Sequence, residues 1–584
     1  MLIFLALIGG TTYGLRGAFT HSAPRPFAQF SIAQATNSGA TTLAAISPDG
    51  KYLLFTKREN GLESLWLRNV PTSSDTQVVV PSPNPFASLS FSPDGNYLYF
   101  RQAGDKTGQY HVLFRAPVLG GTPKLLIRDV DAHPVFSPDV QRIVFIRCNN
   151  PEADKCRWLS ANPDGTNEQV LLIRPGNAAP RQLSWSPDGK RIAFSTGLAG
   201  TQDDEAVRAF DVVTRKEAPL YSHPEKLVNG VEWTSGGRGL VILYEDKESS
   251  YTRGQIGFVS YPAGKFEPLT NDTNNYTTVS LSGDDRTLAT IQSQINGEID
   301  TFLTSGSSFT AVSGLAKLIP QTRDVLWLSD TELLLILPTK ILRVVVDGSQ
   351  QTEIFSDNDV SLGAGAVCQH GETIVVGVLS HQNRSRIQLW RMNLDGSSLK
   401  RITDGETDGF PVCSPDGKFF YYFDFKNNQH MKLSFDGASP EVLLGVGVPG
   451  SNNSQIQTVS RDGRMLAAAG SAVDPSTSTY KTRLAIFDSN STKSPTLLLD
   501  ADPRFFASLA QFTPDGKALT YVIRAENNVD NIWLQPLDGK PGRQITNFKV
   551  DQIYKFSWSP NGTKLLVGRG HVDSDVILLR DTSK

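Results

Sequence analysis

Along most of this chain an apolar or aromatic residue runs into a short polar turn, and an alternating apolar run leaves it. In its fullest form the turn reads S-P-D-G, starting at Ser47, Ser92, Ser186 and Ser414; the variants are T-P-D-G at Thr513, S-P-N-G at Ser559, S-R-D-G at Ser460 and S-P-D-V at Ser137. Ile46, Phe91, Phe136, Trp185, Cys413, Phe512 and Trp558 precede it, and runs such as Tyr52-Leu53-Leu54-Phe55 follow. Proline presets the first corner, Asp can bond the nearby backbone, and Gly accepts the left-handed position. The pairs Asp49-Gly50, Asp94-Gly95, Asp188-Gly189, Asp416-Gly417 and Asp515-Gly516 are therefore read as hairpin corners. A calcium loop of the EF-hand kind would need further oxygen ligands at fixed offsets, which these turns lack.

The spacing also predicts where degenerate copies fall: at Thr234, Ser282, Ser329 and Gln369. Twelve units of about 45 residues result, the period of a repeat architecture. Within a unit one strand such as Arg181–Trp185 enters the turn and a second such as Arg191–Thr196 leaves it. A third often carries an aromatic, as in Ser64–Val70, Ile387–Leu394 and Asn531–Leu537, and the fourth resembles Arg543–Phe548. Four antiparallel strands per unit is the blade of a β-propeller, and twelve blades exceed the usual ring of four to eight. The expected fold is all-β: two tandem β-propellers of about six four-stranded blades each, after a short N-terminal hydrophobic anchor. The Gly/Ser-rich segment Thr304–Leu315 marks the boundary, which gives a first propeller over 27–310 and a second over 311–584. Phe27–Thr36 reads as a fourth strand that completes unit six, and Ala316–Thr322 as one that completes unit twelve, so that each half closes on itself. The rival is a nested arrangement in which the N-terminal strand pairs with the C-terminal blade and the rings share chain.

Lys plus Arg (56) nearly balances Asp plus Glu (59), with the charges scattered, so nothing points to a nucleic-acid partner. Residues 1–20 are mostly apolar without a basic start and read as the remnant of a membrane anchor, with 21–26 (H-S-A-P-R-P) as a linker; the expected location is the extracytoplasmic, periplasmic side of a membrane. Cys148 and Cys156 flank a short loop between two strands and are candidates for a disulfide, whereas Cys368 and Cys413, just before the turn in consecutive units, read as two buried thiols. The eight His residues are dispersed with no metal-ligand spacing, and no cofactor is expected. His133 reads as a packed strand-end residue rather than a base. Trp66, Trp390 and Trp533 at third-strand positions, with Trp185, Trp233 and Trp558 before the turn, read as packing between blades.

The segments A-I-S-P-D-G-K-Y-L-L-F, S-F-S-P-D-G-N-Y-L-Y-F and S-W-S-P-D-G-K-R-I-A-F resemble the TolB-type, WD-like propeller repeat over residues 27–584. The N-terminal F-A-Q-F-S-I-A-Q-A-T with S-L-W-L-R-N-V, and the C-terminal N-I-W-L-Q-P-L-D-G-K-P-G-R-Q-I-T-N-F with D-V-I-L-L-R-D, resemble the extracytoplasmic propeller half of membrane-anchored bacterial serine/threonine protein kinases. In that family a kinase or winged-helix domain precedes one transmembrane helix. This chain has no H-R-D loop, no D-F-G and no Gly-rich loop with a strand Lys, so phosphoryl transfer is not carried over. The resemblance implies a sensor or interaction module that binds a protein or small ligand at a propeller face, with an upstream kinase or winged-helix partner possible. No G-x-S-x-G elbow occurs either, and the expectation is a binding scaffold that is not an enzyme. The alternative is a propeller-based hydrolase or other enzyme with a site at a channel mouth.

Overall fold

The computed structural model describes residues 25–104, 110–152, 155–175, 180, 182–195, 206–223, 225–246, 253–303, 309–311, 322–368, 371–380, 386–435, 439–451, 454–474, 479–525 and 527–583. The expected anchor, residues 21–24 of the linker and most of Thr304–Leu315 lie outside them. Among the described residues the chain is all-β, with ten four-stranded antiparallel sheets and one seven-stranded sheet. No helix there is long and apolar enough to cross a membrane. In chain order the four-stranded sheets span 44–82, 86–128, 135–175, 183–222 and 226–268, the first to fifth, and then 324–356, 360–401, 408–442, 455–500 and 505–544, the sixth to tenth.

The turns carry the chemistry that their sequence suggests. At Ser47 the backbone N–H of Gly50 donates to the Ser47 carbonyl (2.9 Å), the Ser47 hydroxyl donates to Asp49 (2.6 Å), and Asp49 accepts the N–H of Lys51 (3.0 Å). Gly50, Gly95, Gly189, Gly417 and Gly516 all take φ near +70°, between +69° and +73°. The degenerate copy at Ser282 is rebuilt with Asp284 accepting the Ser282 hydroxyl (2.6 Å) and Asp285 in the left-handed position (φ +59°). Asp188 and Asp416 sit below the ordinary carboxylate value because the Ser186 and Ser414 hydroxyls bond their charged forms. These carboxylates are turn formers, each satisfied inside its own corner.

Neighbouring sheets are locked in register by a repeated bond. The N–H just before a turn donates to a side-chain oxygen two residues before the preceding turn: Trp233 to Ser184 (2.9 Å), Ile46 to Ser280 (3.0 Å) and Trp558 to Gln511 (3.3 Å). The corners also touch. A Cβ on Gly237 would meet Pro187 at 3.2 Å, and one on Gly562 would meet Pro514 at 2.4 Å, so these glycines serve close approach as well as positive φ.

Apolar clusters join each sheet to the next. Leu54 and Leu98 link the first to the second, Tyr99 and Phe145 the second to the third, Trp158 and Phe194 the third to the fourth, and Val207 and Val231 the fourth to the fifth. Phe258 meets Leu579 of the seven-stranded sheet, and Ile291 of that sheet meets Leu53 of the first, which closes a circuit. A second circuit starts at Leu566 of the same sheet against Leu335, runs through the sixth to tenth sheets, and returns where Val522 meets Leu565. The six tryptophans expected to pack between sheets do so: Trp233 is buried, and Trp66, Trp185, Trp390, Trp533 and Trp558 lie half-buried against these clusters.

The seven-stranded sheet is where the circuits meet. Thr287–Leu303 (17 residues) pairs without interruption with Lys564–Asp581 (18 residues), from Thr287 opposite Arg580 to Leu303 opposite Lys564. At one end this ribbon is flanked by Asn275–Tyr276 and Ser280–Leu281 and by Phe30–Gln34. At the other it is flanked by Gln552–Trp558 and Phe309–Ala311. Each end is thus a four-stranded unit, and each long strand serves both. Sequential closure of two independent halves is corrected by this pairing: Phe30–Gln34 does complete unit six, but its partner is the C-terminal strand, as in the nested rival. Ala316–Thr322 falls outside the described residues except for Thr322, and the outer strand beside Thr287–Leu303 is Phe309–Ala311. The reason is length, since a strand of 17 residues is far longer than one blade requires and its second half must find partners in the other circuit.

Because the ribbon needs both halves of the chain, residues 27–310 and 311–584 expressed separately should each be insoluble or unfold without cooperativity, and should recover on co-expression. Two soluble halves with sharp unfolding transitions would contradict the shared ribbon. Within the full chain, Leu579→Ala, fully buried only a few residues from the C-terminal end, should cost about 3 kcal/mol in urea unfolding. A frayed end would lose almost nothing.

Candidate functional site

Counting back from the turns locates the site. The residues four positions before Ser47, Ser92, Ser137, Ser186 and Ser282 are Leu43, Ser88, His133, Gln182 and Thr278, and all line one cavity of about 460 Å³. In the fifth sheet that place is taken by Gly230, where a Cβ would meet the Gln182 Oε1 at 2.7 Å. The missing side chain makes room for Gln182 to reach across, and its Nε2 donates to Glu232 Oε2 (3.3 Å). Every sheet of the first circuit therefore contributes to this wall.

The cavity is apolar at Leu43, Leu89, Phe91, Leu243 and Leu281 and polar at Ser88, Ser90, Asn229, Glu232, Thr277 and Thr278. The hydroxyls of Ser88 and Ser90 are buried in the wall with no hydrogen-bond partner, a costly arrangement unless something else satisfies them. Burial in the wall pushes the Glu232 carboxyl up to about 8, against hydrogen bonds from Ser184 and Gln182 that favour its charged form; Asp285, on the neighbouring turn, pushes it further up. Asp285 is itself held by the Ser235 N–H (2.8 Å) and hydroxyl (2.7 Å). Burial also pushes His133 down to about 4, with the Arg101 cation adding to the effect, so the imidazole is neutral at physiological pH. Arg101 is buried in the second sheet, its Nε without a partner, and burial lowers it to about 10 while Asp131 pulls the other way. No Lys or Arg lines the cavity among the described residues.

A smaller cavity of about 250 Å³ occupies the corresponding place in the second circuit, lined by Asp324, Gly365, Phe410, Gln455, Gln511, Tyr554 and Lys555 among others. Arg323 also lines it, and the cavity's carboxylate is paired. Lys555 Nζ lies 2.7 Å from Asp324 Oδ1, while Asp324 Oδ2 accepts the Gly365 N–H (3.1 Å). The first cavity holds a carboxyl without a cation; the second holds an ion pair.

The residues singled out from sequence fall elsewhere, apart from His133. The turn aspartates ring the corners. Cys148 and Cys156 sit directly opposite each other, Cα atoms 4.0 Å apart, and are joined as a disulfide. Cys368 and Cys413 are joined too, with Cα atoms 5.4 Å apart, which corrects the reading of two thiols: the residue before the turn in one sheet faces its equivalent in the next. Glu232, Gln182 and the two serines carry no mark in the sequence of their own, although the four-before-the-turn register could have found most of the collar. Among the described residues no group of His, Cys, Asp and Glu could hold a metal ion.

No protein-family model matches the chain, and no curated protein resembles it. Among solved structures it is similar to the tricorn protease, with 12% identity over 86% of this chain and 50% of that one and a TM-score of 0.33. It is similar also to the GH74 enzyme of Niastella koreensis (11% identity, 91% of this chain and 92% of that one, TM-score 0.34) and to TolB from Acinetobacter baumannii (14%, 60% and 80%, TM-score 0.28). The chain spans half the length of the tricorn protease that it matches. Two of these neighbours are enzymes, and this corrects the expectation from missing motifs that the chain is not one; the neighbours do not assign it a reaction.

Glu232 makes a signed prediction. Its folded value lies above the ordinary 4.5, so the stability that it contributes is whole below pH 4.5 and is lost as the pH rises through about 8. Glu232→Gln should leave stability at pH 4.5 nearly unchanged and raise it at pH 9 by a few kcal/mol at most, since a tenfold difference in proton affinity is worth about 1.4 kcal/mol. Parallel wild-type and variant curves would refute this. The cysteines make another prediction. Without reductant, neither Cys148/Cys156 nor Cys368/Cys413 should alkylate in the unfolded chain isolated from an oxidising compartment, and both pairs should react after reduction. Mass mapping of the labelled peptides reads the result.

Proposed function

We propose that this chain is a binding scaffold in which the two circuits are six-bladed propellers sharing one ribbon, and that its ligand enters the cavity of the first. The observation that carries this reading is the cavity itself: about 460 Å³, in the range of small-ligand sites, with apolar walls and a few converging polar groups of which two are unsatisfied. Rigid sheets hold those groups in fixed positions, which suits recognition. We place the protein outside the cytoplasm, tethered at its apolar N-terminal residues. Supporting this are two disulfides, which persist in oxidising compartments, and the resemblance to the extracytoplasmic half of membrane-anchored kinases. On that resemblance, occupancy of the cavity is the signal that a kinase or winged-helix partner would receive.

Ala87 lines the cavity without making a side-chain hydrogen bond, so Ala87→Trp fills it at small cost to the fold. A small-molecule library screened by native mass spectrometry should yield ligands that bind the wild-type protein and lose at least tenfold in affinity for Ala87→Trp, while the melting temperature changes little. Ligands that bind both proteins equally would move the site elsewhere.

A further inference from the structure

Glu232 is the acidic side chain of the cavity, and it stands in an unusual electrostatic position. The wall supplies no Lys or Arg among the described residues to balance it, and His133, the other titratable residue of the lining, stands at the edge of the third sheet as a neutral ring. From the neighbouring turn Asp285 adds a negative charge. The Gln182 amide bonds one carboxyl oxygen and fixes the group at the wall, while Gly230 keeps the space beside Gln182 open. In the second sheet, Ser88 and Ser90 present hydroxyls with no partner. The corresponding cavity of the second circuit solves the same problem internally, with Lys555 on Asp324 at 2.7 Å. What the first cavity lacks, relative to the second, is a cation.

We propose, building on the reading of this cavity as a ligand site, that it takes an organic cation: a primary ammonium group seated on the Glu232 carboxylate, with its carbon chain along Leu43, Leu89, Phe91 and Leu243. An anion would meet Glu232 and Asp285 with no Lys or Arg in the lining to compensate. A neutral ligand would fill the space but leave the carboxyl as costly to ionise as before. The ammonium ion enters charged, the Glu232 carboxyl gives its proton to the buffer, and the resulting carboxylate pairs with the ammonium N–H groups, so that charge and protons balance. Below the titration of Glu232 this release makes binding tighten with pH. His133 is neutral throughout that range and Arg101 stays charged, so the dependence belongs to Glu232.

The test uses the full-length protein and three probes of similar length: hexylamine, 1-hexanol and hexanoate, titrated calorimetrically in buffers of different ionisation enthalpy. The expected result is that hexylamine binds at least tenfold more tightly than the other two at pH 8, releases close to one proton at pH 7, and gains about tenfold per pH unit between pH 6 and 7.5. Glu232→Gln should abolish that advantage, and an unchanged circular-dichroism spectrum with a cooperative melt shows that the variant is folded. If the variant fails to fold, the pH series on the wild-type protein decides alone. If 1-hexanol binds, is blocked by Ala87→Trp, and hexylamine binds no better, the cation is wrong and the cavity remains a ligand site. If none of the three binds, both fall.

Discussion

The structure depends on one ribbon. Thr287–Leu303 and Lys564–Asp581 are paired along their whole length, and each supplies an inner strand to both circuits of sheets. A circuit of sheets normally needs a local device to join its last unit to its first. Here the device is shared, so neither circuit can be completed until the C-terminal strand has travelled back to the middle of the chain. The N-terminal strand Phe30–Gln34 then lies on its outer side, Phe30 opposite Asp581. Folding is thereby made a property of the whole chain, with the longest-range pairings formed at the point where both rings meet, and topologies of this kind fold slowly because loop closure must precede any gain from pairing.

The same register that closes the circuits builds the cavity. The turns pin the strands before them, through the serine and aspartate bonds of corners such as Ser47 and, at Ile46, Trp233 and Trp558, through the inter-sheet bond from the N–H that precedes the turn. With the turn fixed, the residue four places earlier has no choice of direction and meets its counterparts from the other sheets around the axis. The turns are therefore repetitive while the collar is free to vary: Leu43, Ser88, His133, Gln182 and Thr278 share a position and little else. Structural information resides in the corners, and chemical identity in the collar.

This division explains what can be read from the sequence. Corners and alternating strands depend on residues within a few positions of one another, so the S-P-D-G pattern and its degenerate copies are legible even where, as at Ser282, Asp284 and Asp285 replace the usual Asp-Gly. Ring closure is not, because an isolated strand such as Phe27–Thr36 carries no mark of which distant edge it will join; only the uncommon length of Thr287–Leu303 hints at sharing. The bond between Cys368 and Cys413 is hidden for a related reason. Their equivalence within consecutive units is visible, but equivalent positions in adjacent sheets converge at the corner, and that is a fact of three dimensions. Glu232 is hidden because a lone glutamate in a strand looks like a solvent-facing residue until the sheet around it is closed.

The two cavities, built on one register, differ in how they treat a carboxyl in the wall, half-buried at Glu232 and buried at Asp324. Taking a carboxylate from water is costly, and a protein can offset that cost with a cation, with hydrogen bonds, or by leaving the proton on. Asp324 has the first, from Lys555, and adds the Gly365 N–H. Glu232 has amide and hydroxyl partners of the second kind, and keeps its proton as well. A protonated acid in a cavity is a weaker structural element than an ion pair, since it contributes no strong contact and is lost as stabilisation once the pH rises. A proton-bearing Glu232 and two serine hydroxyls without partners thus stand together in the larger of the two corresponding cavities, whereas the smaller one holds an ion pair. Deficits gathered on a common cavity wall are what a ligand can satisfy, and on this physical ground the ligand we propose is placed in the first circuit rather than the second.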